Sequence, residues 1–584
     1  MSGICGWVGR GVNPSAMEAM LESISYRGDK SESVILDNMA LGYRWWQNRP
    51  GKSPGIWRAQ NALAVCAGTL APQVGDPAAE LTRICTNDQQ SLRSLDGAFA
   101  AAMWNAEANS LTLIRDPFGI RSLYYAERSG VFYFASELKQ LLAISGFTIE
   151  PDLVAVHKYL TFSFAPGESV PVAGVKRILP GQIAEFKNGQ LQLRPYFELR
   201  ENIDERYADR HEATRYIREK FSTAVQNRWN GEKSVGVYLS GGIDSAGVAL
   251  YLKKAGANVH ALSLDFGTEG VEMDQAKAIA AHLNLELNLV EANPEKLTPL
   301  LPELAWKLDL PFGDPVTGPQ YLLGRAARNA GLEVVFNGEG GDQLFGGWAV
   351  KPMIAGSVFS GLYEDDTREE MYLRSYHRFY GLEADLYTPE FARQVGNPGQ
   401  RRAHLVPYLY HEEHPTFLGR LRLADISLKG SQNILPRAER MANAWGLDVR
   451  MPFFDRALAE ASFMLPPQMK LHGATEKYIL KRVLQKHLPR ELVWRRKYGM
   501  SVPITQWLLR PPLNRIVTRL LSAESLAKRG LFRFAYVERL LAGQNDAHET
   551  RRRRIGERLW CLAMLELWFR IFIDGKGKQP REIV

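Results

Sequence analysis

The sequence predicts two domains of different class, α+β followed by α/β. A β-rich, sandwich-like domain is expected over residues 1–200, and a doubly wound α/β domain over residues 213–575. Three observations carry this. Short alternating or apolar runs, separated by turns bearing Gly, Asn and Pro, recur through the first third of the chain. From Val235 onward, strand-like runs alternate with helical periodicity, the pattern of a parallel sheet covered by helices. Between the two, Glu201–Glu212 (ENIDERYADRHE) is largely polar and charged, as a linker is.

Composition narrows the classes. The chain has 584 residues, 45% hydrophobic and 23% charged, enough for more than one core. A formal net charge of +8 admits an acidic ligand such as ATP without marking a nucleic-acid binder. The dense basic run Arg551–Arg554 precedes an apolar stretch and reads as a solvated helix start. Four cysteines (Cys5, Cys66, Cys85, Cys561) are too few and too scattered for a disulfide framework or a zinc site. No signal-like N-terminus and no run of transmembrane length is present. The expectation is a cytoplasmic protein with neither membrane nor nucleic-acid partners.

In the first domain, ALAVCAG, FAAAMWN, SLTLIRD, VFYFAS and GQIAEFK read as strands, and Pro14–Ser25 as a helix. The second opens with a helix at Ala213–Trp229, then the stretch Val235–Ser245 (VGVYLSGGIDS). Its apolar start is a buried strand. Leu239, Ser240, Gly241, Gly242, Ile243, Asp244 and Ser245 then form a small-residue turn opening a helix. Two glycines let backbone approach an anion, and the serine hydroxyls and first-turn amides can donate to phosphate oxygens. A carboxylate in such a loop makes sense if Mg²⁺ bridges Asp244 to those phosphates. Without a GKS/GKT ending it is no Walker loop.

Further strands are expected at Val259–Asp265 and Leu287–Val290, with helices at Met273–Leu283 and Leu297–Leu308. Val334–Trp348 (VVFNGEGGDQLFGGW) gives a strand whose glycine-rich exit brings Glu339 and Asp342 to its carboxyl end, beside the first loop. Glu476–Leu488 and Leu559–Ile573 read as helices with core-spaced apolar residues.

Particular stretches resemble the asparagine synthetase superfamily. MSGICGWVG, Arg27-Gly28, LDGAFA, RDPFGIRSLYY and FASELKQLL are similar to its class II glutamine amidotransferase domain, of the N-terminal-nucleophile type. SGGIDS, the Glu339–Asp342 string, Glu439–Asp455 and WRRKYGMSVP resemble its ATP pyrophosphatase (adenine nucleotide alpha hydrolase-like) domain. The resemblance implies ATP and Mg²⁺ as cofactors. It implies Leu239–Ser245, Leu264 and Gly338 around the nucleotide, and Asp244 with Asp342 on the metal. Glu339 would face the acyl-adenylate or amine, and Lys497 would stabilise charge in both steps. Asp314 (in LPFGDPVTGP) is a polar contact, and Arg450 is equally a site residue or a structural one.

The first domain departs from its family at the glutaminase chemistry. Ser2 stands where the nucleophilic cysteine is expected, Ala67-Gly68-Thr69 replaces the NGE segment, and Trp45 replaces the carboxylate-binding arginine. Cys5 is not at the terminus. One oxyanion donor alone is worth roughly 2.7–4 kcal/mol of barrier, so the combined loss predicts an inactive glutaminase. Within the superfamily, an inactive glutaminase with intramolecular amine attack occurs in β-lactam synthetases and lasso peptide cyclases. The former replace the glutamate kept here as Glu339. The segment Ser357–Pro415, which matches least, leaves room for a bulky substrate. The expected function is macrolactam formation on a precursor (core) peptide, with a leader-binding protein and leader peptidase as partners. An ammonia-dependent asparagine synthetase or small-molecule amide synthetase is the alternative, and a non-catalytic scaffold a second.

Overall fold

The computed structural model describes residues 2–47, 54–72, 74–87, 89–267, 273–347, 367–376, 378–396, 400–495, 502–543 and 549–580. The first domain stacks two antiparallel sheets. Its strands are β1 (Ser2–Val8), β2 (Lys30–Ile35), β3 (Met39–Trp45), β4 (Trp57–Ala59), β5 (Ala62–Leu70) and β6 (Gly97–Asn105). They continue as β7 (Ser110–Arg115), β8 (Tyr124–Arg128), β9 (Val131–Ala135), β10 (Val175–Arg177), β11 (Gln182–Lys187) and β12 (Gln190–Pro195). One sheet runs β10-β8-β9-β1-β3-β2 and the other β12-β11-β7-β6-β5-β4. Alternate residues of the facing strands, such as Leu41, Tyr43, Val65, Ala102, Leu113 and Phe134, fill the space between them.

The expected helix at Pro14–Ser25 is shorter, α1 (Ser15–Glu22), followed by a single 3₁₀ turn at Ser25–Arg27. The linker is not loose. Glu201 is buried, its carboxylate accepting from the Thr416 amide (3.1 Å) and hydroxyl (2.7 Å). Helix α2 (Arg210–Arg228) then starts earlier than expected, because Asp209 caps the amides of His211 and Glu212.

The second domain is a parallel sheet ordered β15-β14-β13-β16-β17. Its strands are β13 (Ser234–Tyr238), β14 (Asn258–Asp265), β15 (Glu286–Glu291), β16 (Val334–Phe336) and β17 (Asp448–Arg450). Helix α3 (Ile243–Ala255) follows β13. The order reverses at β13, whose neighbours are β14 and β16, so a crevice opens at their carboxyl ends.

Two helical expectations change. Leu297–Leu308 is broken: a turn at Pro294–Leu297 and a 3₁₀ turn at Thr298–Leu300 precede α4 (Leu301–Leu308). Pro299 and Pro302 remove the amide donors a continuous helix needs. The helix expected over Glu476–Leu488 is α5 (Tyr478–Leu484), because Lys477 takes a left-handed backbone, φ 52°. The final helix, α6 (Glu549–Trp568), runs into a wider turn at Phe569–Asp574. Among the described residues no helix is long and apolar enough to cross a membrane.

Buried ionic contacts join the domains. Arg27 pairs with Glu137 and, at 3.0 Å, with Glu439; Arg121 also reaches Glu439 and lies 3.2 Å from Asp448. Asp309 accepts from the amides of Leu138 (2.6 Å) and Lys139 (3.0 Å) and pairs with Arg440 at 3.2 Å.

Candidate active site

β13 ends at a sharp turn. Ser240–Gly242 folds back on helix α3, and Gly242, at its N-cap, carries no side chain to occupy the first-turn amides. The serines brace this loop. Ser245 Oγ accepts from the Ser240 amide at 3.1 Å, lies 3.2 Å from Ser240 Oγ and donates to Gly242 O at 3.2 Å. Arg495 donates to Gly241 O at 2.7 Å and fixes the outer rim. The result is a braced loop at a helix N-terminus, of a kind that can accept an anion.

The loop after β16 is pressed against it. A Cβ on Gly338 would lie 2.5 Å from the Ser245 amide nitrogen, and one on Gly341 would lie 2.3 Å from Asp244 Oδ1. Only glycine permits that approach. It brings Asp342, on a single helical turn at Gly341–Phe345, beside Asp244. Leu239, Leu264 and Gly338 stand at the carboxyl ends of β13, β14 and β16, and the first two are buried.

Sequence reasoning missed the central cation. Lys477 Nζ is bonded to Asp244 Oδ2 and lies 2.7 Å from Asp342 Oδ1. Burial alone would lower this ammonium's pKa; the two carboxylates outweigh it and hold it above the ordinary lysine range. The only sequence signal was two lysines flanking an apolar run, and the left-handed φ that aims Lys477 inward is invisible there. Asp244 Oδ1 is buried and, among the described residues, accepts no hydrogen bond. An orphaned hard oxygen beside a second carboxylate fits Mg²⁺, which takes one or two carboxylates and completes its shell with phosphates and water. Asp244 and Asp342 would hold it.

On the other side of the same loop, a buried arginine gathers three side chains. Arg437 pairs with Asp314, donates from Nε to Gln320 Oε1 (3.1 Å) and lies 3.5 Å from Glu339 Oε1, to which Gln320 Nε2 donates at 3.3 Å. Burial would raise the Asp314 carboxyl, but the Arg437 guanidinium holds it below the usual carboxylate range. Glu339 and Asp314 stay partly exposed to the crevice, with side chains 30% and 31% accessible. The arrangement sets an acidic wall beside the cation and phosphate cradle.

Arg450 takes the structural alternative: it binds Glu232 (2.5 Å) and the Arg228 carbonyl (2.5 Å), away from the crevice. Lys497 lies outside the described residues, as do Trp348 and the first part of Ser357–Pro415.

In the first domain, Ser2 is buried at the start of β1, in register opposite Trp45, and Trp45 stacks on Tyr43 at 4.9 Å. Cys5 is buried against Met17, and burial pushes its thiol well above the ordinary cysteine range. A thiol so shifted is a poor nucleophile.

Comparison with known proteins matches residues 216–570 to the asparagine synthase family and residues 80–197 to the glutamine amidotransferase domain family. Asparagine synthetase [glutamine-hydrolyzing] 1 of Bacillus subtilis (strain 168) is 28% identical over 529 residues, covering 85% of this chain and 82% of its own. Amidase chyE of Penicillium rubens is 24% identical over 503 residues, covering 75% and 74%. Among solved structures, the glutamine phosphoribosylpyrophosphate amidotransferase of B. subtilis, complexed with ADP and GMP, aligns at 12% identity and TM-score 0.27. That alignment covers 50% of this chain and 82% of the other.

Proposed function

We propose, on the premise that this chain belongs to the asparagine synthase family and forms amide bonds at the expense of ATP, that it closes a macrolactam in lasso peptide biosynthesis. A side-chain carboxylate of a precursor-peptide Asp or Glu attacks the α-phosphorus of ATP, and pyrophosphate leaves. The peptide's N-terminal amine then attacks the acyl carbon of the adenylate, and AMP leaves as the isopeptide bond forms. The observation that carries this is the contrast between the two domains. The synthetase crevice has its phosphate cradle, carboxylate pair and cation together, while the glutaminase position holds a buried serine opposite a tryptophan.

Each residue group has a task in this reading. The Ser240–Ser245 loop orients the triphosphate through first-turn amides. Lys477 meets the negative charge that grows on the leaving pyrophosphate, where a preorganised cation is worth most. Mg²⁺, when bound, offsets charge on the phosphates. Glu339, steadied by Arg437 and Gln320, faces the incoming amine and can take its proton. Bringing amine and acyl carbon together in one molecule supplies the proximity that a diffusing donor lacks. Lys497 is assigned charge stabilisation in both steps. A leader-binding protein and a leader peptidase would deliver the core peptide.

The relatives' names favour a second reading, an asparagine synthetase; with Ser2 and Trp45 at the glutaminase position it would be ammonia-dependent. One experiment separates the two: AMP release with Mg-ATP, comparing precursor peptide and its maturation partners with ammonium plus aspartate, and with glutamine plus aspartate. Peptide-dependent AMP with loss of one water from the peptide mass supports macrolactam closure. Asparagine from ammonium, with no response to peptide, refutes it.

A further inference from the structure

Away from the crevice, the open edge of a sheet runs into a basic groove. Strand β12 is the last strand of its sheet; it pairs with β11 on one side, Lys187 opposite Gln190 through Gln182 opposite Pro195. Among the described residues no strand pairs on its other side. An edge of this kind offers a row of backbone donors and acceptors to an added chain. Leu193, 36% accessible, is an apolar contact on the same strand.

At Pro195 the ladder must stop, because proline has no amide to donate. There the groove begins, as two adjoining lobes of about 310 and 390 Å³ that share Arg93, Pro195 and Tyr196. Arg93 and Arg194 are exposed, and among the described residues neither guanidinium has a hydrogen-bond or ion-pair partner. Arg456, from the second domain, lines the same groove with its guanidinium 5.1 Å from the Phe197 ring. Its Nε donates to Glu460 at 2.9 Å, and among the described residues its buried Nη1 has no acceptor. The lining carboxylate, Glu198, faces Arg200 at 3.8 Å, and Arg200 is held in turn by Glu413 at 3.0 Å.

We propose that this edge and groove dock an extended, carboxylate-rich polypeptide segment, its main chain adding to β12 and its Asp or Glu side chains reaching Arg93, Arg194 and Arg456. Strand addition supplies affinity with little sequence demand, and the Arg93 and Arg194 guanidinia supply the preference for acidic residues. A compact anion would fill the arginine cluster alone and gain nothing from β12. The site is separate from the ATP crevice and does not depend on which amide the enzyme makes.

The test uses the full chain and fluorescence anisotropy with a labelled peptide of about twelve residues alternating Glu and Val, a strand-compatible pattern. The Glu–Val peptide should bind, more weakly as salt rises. R93E/R194E should weaken it about tenfold or more with an unchanged melting temperature, and R93K/R194K should keep most of the binding. A Lys–Val peptide should not bind, and N-methylation of alternate backbone amides should weaken the acidic one. Failure of the wild-type chain to bind, or equal binding by R93E/R194E, would overturn the proposal. Equal binding of the N-methylated peptide would overturn strand addition and leave a site for free anions.

Discussion

Lys477 Nζ lies 2.7 Å from Asp342 Oδ1 and is bonded on its other side to Asp244, although the two aspartates stand on different loops. Its side chain is 1% accessible. A single buried cation thus ties the phosphate cradle to the loop after β16.

Replacing it should therefore disable the chemistry. Lys477→Met is expected to lower ATP-dependent turnover by roughly 100- to 1,000-fold, the typical cost of one transition-state charge partner. It should also lower the melting temperature, since two carboxylates lose their counter-ion. Calorimetry with and without Mg-ATP reads both: ligand should restore part of the lost stability. Unchanged turnover would remove Lys477 from the mechanism.

Arg437 should act on amide formation and not on adenylation. Arg437→Met frees Glu339 and Asp314 from their shared guanidinium without touching Asp244 or Asp342. The expected outcome is continued AMP release with amide yield down at least about tenfold, the adenylate being lost to water. Arg437→Lys should recover only part, because lysine cannot bridge three acceptors in one plane. Parallel AMP and product assays check the split.

Ser2→Ala and Cys5→Ser should leave product formation within about twofold, as changes away from the chemistry do. Both residues are buried, and burial raises the Cys5 thiol well above the ordinary cysteine range. A large loss from Ser2→Ala, or asparagine made from glutamine, would restore the glutaminase.

Acid should weaken the fold through His157. This imidazole is buried, 2.8 Å from the Tyr387 hydroxyl, and burial, then the charge of Arg401, lowers its pKa to about 3. A folded pKa below the unfolded value of about 6.5 means that the unfolded chain binds the extra proton. Its contribution is complete above pH ~6.5 and falls by up to about 1.4 kcal/mol per unit as pH drops toward 3. Denaturant midpoints at pH 7 and pH 5, for wild type and His157→Gln, should show a smaller acid shift in the variant.

The two-domain fold class and the strands β5, β6, β7, β9, β11 and β13 to β16 were legible because each carries its period and its turn chemistry locally, whereas the short edge strands β4, β10 and β17 carry too few residues to show a period. The Asp244 and Glu339–Asp342 segments were legible for the same reason: each is a short, contiguous, glycine-bearing string. Lys477 and Arg437 were not. Lys477 reaches the site through one left-handed residue in a stretch whose apolar spacing reads as unbroken helix. Arg437 sits on a buried helix, Leu435–Asn443, and its three partners come from segments about 100 residues earlier. No local pattern encodes such a meeting. The break before α4 was visible in Pro299 and Pro302, whose missing amides outweigh the apolar spacing.

The Arg27–Glu137–Glu439 contacts bear on how this gene could be divided. Glu137 is fully buried and Arg27 is 3% accessible, yet Glu439 belongs to the other domain. Expressed as separate polypeptides, the two halves would each present surfaces of stranded charge that only the missing half can neutralise. Neither piece should accumulate as a well-behaved protein by itself. Co-expression of both fragments should rescue the yield of each, which makes the joined chain a single unit of inheritance as well as of folding.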